Sequence, residues 1–111
     1  MSVYESATKL ASEIKLSEEY KSFKKSMNEL KSDSKSESLL KEYKMSQMEL
    51  QRSQVQNKSL DKKIVRKIET IEKKIKKNKK VYNYLRDEQV LVNMMNNINI
   101  ILSDAVDKDY K

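Results

Sequence analysis

Lysine is concentrated in one segment of this chain, and that cluster is the feature of the sequence with the clearest capacity for chemistry. Residues 58–80 contain 11 basic and 3 acidic side chains, whereas residues 1–57 carry a net charge of +1 and residues 81–111 carry −2. A basic cluster can neutralise phosphates and release their counterions. It can equally form a solvated helix face or a surface for a protein partner. The candidate basic partner surface consists of Lys62, Lys63, Arg66, Lys67, Lys73, Lys74, Lys76, Lys77 and Lys80.

The composition of this surface favours some partners over others. Sequence-specific nucleic-acid binders use Arg for bidentate contacts with bases, and residues 58–80 contain one Arg. The same segment has no aromatic residue on which a base could stack. We therefore favour a solvated face or a protein-partner surface over nucleic acid, and nucleic acid over an anionic membrane surface.

The residue types that most catalytic and metal sites require are missing. The sequence contains no His, no Cys and no Gly. This removes the commonest general base, thiolate nucleophiles and ligands, and glycine-rich phosphate loops. Glu88 has no second carboxylate and no His at metal-ligand spacing in its helix. We expect no enzyme activity, no cofactor and no metal site.

The absence of Gly and Pro also limits the elements that can position these side chains. Tight hairpin turns depend on residues with positive φ, which Gly supplies, and Pro breaks helices. The sequence therefore predicts an all-α fold. Hydrophobic periodicity places the helices over about residues 2–15, 18–31, 35–56, 60–77 and 79–107.

Short polar side chains mark the predicted helix ends. Ser2 and Ser17 are predicted N-caps, and Ser34 begins a capping-box spacing. The polar residues 54–59 predict a loop before the fourth helix. Asn78 is predicted to end that helix, because Asn tolerates left-handed backbone conformations.

The last two predicted helices form a long C-terminal hairpin. In the fourth helix, isoleucines recur with the spacing of a coiled-coil seam. In the fifth, an apolar 4,3 alternation is interrupted by Asn99, which we interpret as a residue that fixes register or partner choice. The candidate dimer seam of this last helix consists of Leu85, Val92, Met95, Asn99 and Leu102.

The supply of core residues is small for a chain of this charge. Leu, Ile, Val and Phe make up 26 of the 111 residues, not far above the roughly 20% below which charged chains tend to be disordered. A thin core predicts that a second copy completes it. We expect a single domain over residues 1–111, an antiparallel bundle of four or five helices that forms a homodimer.

No targeting or membrane segment is predicted. The N-terminus lacks the basic and apolar regions of a signal peptide. The longest strictly apolar stretches are three residues long, far short of the ~20 that span a bilayer. We expect a cytoplasmic protein without a transmembrane segment.

Several short blocks occur in a characteristic order along almost the whole chain. They are Val3-Tyr4-Glu5, residues 14–21, residues 39–43, residues 47–51, Asn78, Tyr84-Leu85 and Ile98-Asn99-Ile100-Ile101. Together they resemble the YlbF/YmcA/YheA family of small helical bacterial proteins. The resemblance implies an antiparallel helical bundle, usually dimeric, that has no enzyme activity.

The resemblance also implies a function and partners. Known members assemble with one another and with a further partner, and they influence competence, sporulation, biofilm formation and mRNA processing by a membrane-anchored endoribonuclease. It thus implies a cytoplasmic regulatory adaptor, with a paralogue or a protein of the endoribonuclease complex as partner. The alternative is a small basic protein that binds nucleic acid through residues 58–80.

Three departures from the family pattern favour a divergent member, nearer the branch without an assigned role. Lys79 stands where a Pro often follows the turn Asn. The absence of Cys means that the cluster ligation of the regulatory complex cannot be carried over through thiolates. The basic helix is unusual for a family that tends to be acidic.

Overall fold

The structure, a computed structural model, describes residues 2–57 and 62–110. Within these residues the chain forms helices and short turns, with no strand, which confirms the all-α prediction. The helices are α1 (Val3–Leu16), α2 (Glu18–Lys31), α3 (Ser34–Asn57), α4 (Lys62–Lys76) and α5 (Lys79–Asp107), followed by a 3₁₀ turn at Lys108–Tyr110. Residues 60 and 61, where the sequence predicted the start of the fourth helix, lie outside the described residues.

Side-chain oxygens accept hydrogen bonds from backbone N–H groups at the helix starts, in a chain that has no Gly or Pro to shape its turns. The Ser2 hydroxyl accepts a hydrogen bond from the backbone N–H of Glu5 at 3.1 Å. The Ser17 hydroxyl accepts one from the backbone N–H of Tyr20 at 3.2 Å. Both predicted N-caps are therefore present, and each satisfies one of the unpaired N–H groups of a helix start.

Two predicted boundaries of α3 are wrong. Ser34 is the first helical residue rather than the cap, because Asp33 precedes it and accepts from the backbone N–H of Lys35 at 3.3 Å. At the other end α3 continues to Asn57, so residues 54–57 are helical and not a loop, and residues 58 and 59 of the predicted loop lie outside the described residues. Their Gln and Asn side chains lack a clear hydrophobic period, but a helix continues as long as its backbone hydrogen bonds are made.

The helices pack in two antiparallel pairs. α5 lies along α2, with Val90 beside the N-terminus of α2 and Lys79 beside its C-terminal half. α4 lies chiefly along α3 and meets α5 mainly near the Lys77–Asn78 turn. The C-terminal hairpin therefore connects two packed pairs of helices.

The core lies where these pairs meet. Its buried residues come from α2, α4 and α5, namely Leu30, Ile71, Ile75 and Val81. Half-buried side chains complete it, namely Leu39, Leu40, Tyr43, Tyr84 and Leu85. The isoleucine period of α4 thus correctly indicated a buried face, with Ile68 also buried.

The single chain is extended and flat. Its Cα atoms span 52 × 38 × 17 Å with a radius of gyration of 18.3 Å, whereas a compact domain of this length has about 13 Å. Its accessible surface is 8,982 Å², against about 6,400 Å² for a compact monomer of its mass. The described helices include none that is both long and apolar enough to cross a membrane.

Candidate interaction surfaces

The second half of α5 carries an exposed apolar strip. The strip consists of Val92, Met95, Asn99, Leu102 and Val106, at the 3,4 spacing that places side chains on one helix face. Its four apolar members are each between 38% and 56% exposed. No charged residue occurs between Val90 and Ser103, so from Val92 to Leu102 the strip offers apolar and amide groups alone.

The residues of the predicted dimer seam fall into a half-buried part and an exposed part. Leu85 is half-buried and packs against the core of its own chain, whereas Val92, Met95, Asn99 and Leu102 all lie on the exposed strip. Their pairing with a second copy, and the role of Asn99 in fixing register, stay predictions.

A second exposed apolar surface lies on α1. This helix has no buried residue, and Val3 and Leu16 are 81% and 70% exposed. Among the described residues α1 packs against α2 alone, which leaves Leu10 and Ile14 half-buried. Exposed apolar surface on this scale is typical of a site where another macromolecule binds.

Glu88 interrupts the apolar period of α5 for a reason within the chain. Its carboxylate accepts a hydrogen bond from Lys44 Nζ at 2.6 Å and another from Tyr84 Oη at 2.9 Å. The first of these contacts joins α5 to α3. The sequence did not predict this contact, because a partner 44 residues away leaves no trace in a local period.

Tyr84 is held on both sides of its ring. The ring contacts that of Phe23, with a centroid distance of 5.6 Å, and its hydroxyl donates to Glu88. Burial, followed by the hydrogen bond and the negative charge of Glu88, raises the pKa of Tyr84 to about 12. Each of these effects disfavours the phenolate.

Asp87 is a buried carboxylate between α5 and α2. It accepts hydrogen bonds from the Ser26 hydroxyl and from Arg86 Nε, the latter at 3.1 Å. Burial by itself raises the pKa of Asp87. The hydrogen bonds from Ser26 and Arg86 and the charge of Arg86 together lower it by more, so the pKa of Asp87 lies below its ordinary value. Sequence analysis missed this contact, since neither residue stands out in its own helix.

A polar cluster of Asp33, Ser36 and Asn78 connects the start of α3 to the start of α5. The fully buried Ser36 hydroxyl donates to Asp33 Oδ2 at 2.6 Å and accepts from Asn78 Nδ2 at 3.0 Å. The hydrogen bond from Ser36 is the main cause of the lowered pKa of Asp33. Asn78 is extended, with φ −109° and ψ 99°, and it caps α5 through the N–H of Val81. Asn78 thus lies at the predicted helix boundary, but the left-handed conformation predicted for it is wrong.

The candidate basic partner surface lies on α4 and the turn that follows it. Eight of its nine residues are exposed, and the ninth, Lys80, is half-buried in the first turn of α5, where its charge helps to lower the pKa of Asp33. Lys67 reaches Glu49 of α3 at 3.9 Å, with both side chains about half exposed. Exposed ion pairs of this kind contribute little to stability, typically about 0–1 kcal/mol.

The described residues include no cluster of three or more His, Cys, Asp or Glu side chains placed to hold a metal ion. One polar atom in the described core, the Ser46 hydroxyl oxygen, is buried without a hydrogen-bond partner. Ser46 lies on α3. The surfaces on α1, α4 and α5 are therefore the features of the described residues that bear on function.

Residues 3–107 match the protein family described as control of competence regulator ComK, YlbF/YmcA. The chain belongs to the YlbF/YmcA family. The match spans nearly all of the sequence and confirms the resemblance drawn from its short blocks. The description of this family links it to control of the competence regulator ComK.

The fold of the YlbF/YmcA chain is similar to that of Bacillus subtilis RicA, whose crystal structure was solved in complex with RicF. The two chains share 21% sequence identity, the alignment covers 98% of this chain and 96% of RicA, and the TM-score is 0.66. This likeness confirms the helical fold. A comparison with curated proteins found no match.

Lys79 is the position at which the sequence resemblance implied a Pro after the turn Asn. Lys79 is the first residue of α5, a position where Pro is favoured because the N–H there has no partner within the helix. The Asn78 cap on the Val81 N–H, at 3.1 Å, does not depend on Pro. The helix start therefore survives the substitution.

Proposed function

We propose that this chain is a non-catalytic, cytoplasmic regulatory adaptor that acts by binding another protein chain. The observation that carries the proposal is the exposed apolar strip of α5, in a chain whose family is linked to control of a competence regulator. Apolar side chains exposed on one helix face, with no charged residue between Val92 and Leu102, are suited to packing against a second helix.

The occupant we propose for the strip is a second copy of the chain. The accessible surface exceeds that of a compact monomer by about 2,600 Å², and stable dimer interfaces bury roughly 2,000–5,000 Å² in total. Two copies could therefore each cover excess surface of the other. The strip is also uncharged in a chain with a net charge of +7, so two copies can meet there without repulsion between like charges.

The competing occupant is a related but different chain. Support for it comes from RicA, a protein of similar fold that was crystallised with RicF. A heteromeric partner would use the same apolar and amide groups of the strip. The choice between a second copy and a paralogue is therefore a matter of which chain is bound, and the solution mass of the purified protein decides it.

The first experiment is the solution mass of Val92→Glu/Met95→Glu beside the wild-type chain. Both residues are already exposed in the single chain, 43% and 38% respectively, so Glu at these positions leaves the fold of one chain intact. We expect the wild type to sediment as a dimer and the variant as a monomer with unchanged helicity, because each buried Glu would lose its hydration.

The matched control is Val55→Glu/Tyr82→Glu, which places two Glu residues at exposed apolar positions off the strip. It should remain dimeric. A monomeric wild type, or a dimer that survives both strip substitutions, contradicts the second copy as occupant. In that case, mixing the purified chain with a paralogue from the same cells tests the heteromeric alternative.

The regulatory part of the proposal is tested in the native cells. Wild-type chain and the strip variant would each be affinity-purified, with half of every lysate treated with nuclease. We expect the wild type to retain a competence, sporulation or RNA-processing protein after nuclease treatment, and the strip variant to lose it. Equal recovery by both baits would contradict an adaptor that works through the strip.

A further inference from the structure

The outward side of α4 is a continuous basic face. Four basic residues at spacings of 4, 7 and 4 form this face, namely Lys62, Arg66 and Lys73 of α4 and Lys77 of the turn that follows the helix. All four are exposed, and none forms an ion pair within the described part of the chain. At 1.5 Å per residue the row is about 22 Å long. Glu69 is the one acidic residue on this side, near its middle.

The opposite side of α4 fixes the direction in which this basic face points. Ile68, Ile71 and Ile75 are buried, with 1–8% exposure, against the rest of the bundle. α4 therefore cannot turn its lysines inward without exposing its share of the core. The cations are displayed on a helix whose orientation is set by packing.

The composition of the basic face argues against two kinds of partner. Protein interfaces are depleted in Lys and depend on apolar or aromatic anchors, and this face has neither. Proteins that hold single strands use aromatic side chains for base stacking, and α4 contains no aromatic residue. The exposed residues of α4 therefore give little support to the hypothesis that the basic segment binds a protein partner.

A membrane surface fits poorly for a different reason. A helix that lies in a membrane interface inserts its apolar face among the lipid chains. In α4 that face is buried in the core. Only charge would be left to hold the chain on a membrane.

We propose that the basic face of α4 binds the phosphate backbone of double-stranded nucleic acid without sequence preference. Phosphates repeat along a duplex and are neutralised by Lys and Arg irrespective of the bases. A straight row of cations about 22 Å long spans roughly six base pairs at 3.4 Å each. This function uses a different helix face from the apolar strip of α5, so it adds to the adaptor function.

The test is binding to fluorescent duplexes of about 20 base pairs, one of RNA and one of DNA, both of mixed sequence. With four phosphate contacts, affinity should fall about 100-fold between roughly 50 and 200 mM salt. Binding of either duplex with this dependence supports the proposal, and the ratio of the two affinities identifies the natural ligand. Binding that does not weaken with salt overturns it.

Charge variants locate the binding face. Lys62→Glu/Arg66→Glu/Lys73→Glu/Lys77→Glu should abolish duplex binding. The control Lys21→Glu/Lys25→Glu/Lys41→Glu/Arg52→Glu reverses three exposed lysines and one exposed arginine on α2 and α3, for the same change in net charge. It should retain most of the affinity. Equal loss in both variants would mean general charge attraction and would overturn the proposal.

A variant that binds more tightly than the wild type cannot owe its effect to misfolding, so it is a control for the loss-of-binding variant. Glu69→Lys removes the one acidic residue of the basic face and should tighten duplex binding several-fold. Unchanged affinity in that variant contradicts the proposal. The proposal is also contradicted if, at equal salt, the wild-type chain binds vesicles containing phosphatidylserine or a polyglutamate peptide more tightly than it binds the duplexes.

The solution mass separates this proposal from the adaptor proposal. The α4 charge variant should keep the wild-type mass, and the strip variant Val92→Glu/Met95→Glu should keep duplex affinity per chain to within a few-fold.

Discussion

At the scale of single residues, buried and half-buried polar side chains form contacts between the helices of this structure. Ser36 with Asn78, Ser26 with Asp87 and Glu88 with Lys44 each join two helices that are far apart in sequence. Sequence analysis identified the helix caps Ser2 and Ser17, because a cap and its N–H partner lie three residues apart. It could not identify the contacts between helices, since their partners are 42 to 61 residues away.

Tyr84 gives a prediction at this scale. Its pKa in the folded chain is about 12, above the ~10 of an unfolded tyrosine. Stability from Tyr84 is therefore fully present below about pH 10 and is lost as pH rises through 12. Wild type should be more stable than Tyr84→Phe at pH 8, and the difference in free energy of unfolding should shrink towards pH 12. Urea unfolding at several pH values measures it.

The control for this prediction is Tyr82→Phe, which removes a hydroxyl from a tyrosine that is 53% exposed on the same helix. The other ionisable groups are common to the wild type and Tyr84→Phe, so their effects cancel in the difference. A difference for Tyr84→Phe that stays constant from pH 8 to pH 12 would show that burial and Glu88 do not hold the phenol protonated.

At the scale of elements, the sequence predicted which faces are buried better than it predicted what buries them. The isoleucine period of α4 indicated a packed face, and Ile68, Ile71 and Ile75 are buried. Periodicity indicates that a helix face is buried but not which element covers it. It therefore could not show that α4 lies chiefly along α3. The same limit applies to α5, whose regular period covers both a half that packs on α2 and a half that is exposed.

Ile71 carries the prediction at this scale. It is 1% exposed, so Ile71→Ala should lower the free energy of unfolding by about 2–5 kcal/mol through lost burial and a cavity. Ile64→Ala, two turns earlier on the same face and only half-buried, should cost clearly less. Denaturant unfolding of both variants measures the comparison, and equal losses would place the core of α4 elsewhere than at its centre.

At the scale of the whole molecule, the chain is too extended for one compact core. The small supply of core residues in the sequence indicated a thin core, and the radius of gyration of 18.3 Å agrees with that expectation. The location of the uncovered surface could not be predicted, because a seam that faces its own chain and one that faces a partner have the same 4,3 spacing. Leu85 and Val92 share that spacing, yet only Leu85 joins the core.

A dimer held by this surface makes stability depend on concentration. Tenfold dilution of the wild type should lower its thermal midpoint by about 3 °C. Val92→Glu/Met95→Glu should melt lower, at a midpoint that dilution does not change. Calorimetry over a range of protein concentrations tests this, and a wild-type midpoint that is independent of concentration would contradict a stable dimer.

The uncharged stretch from Val90 to Ser103 has a consequence for the cell. It follows α1 to α4 in the chain, so those helices have already left the ribosome when it emerges. A newly made copy without a partner exposes apolar side chains of the kind that chaperones and proteases bind, and that promote aggregation. The steady amount of this protein should therefore follow the supply of its partner, and copies made in excess should be the first to be degraded.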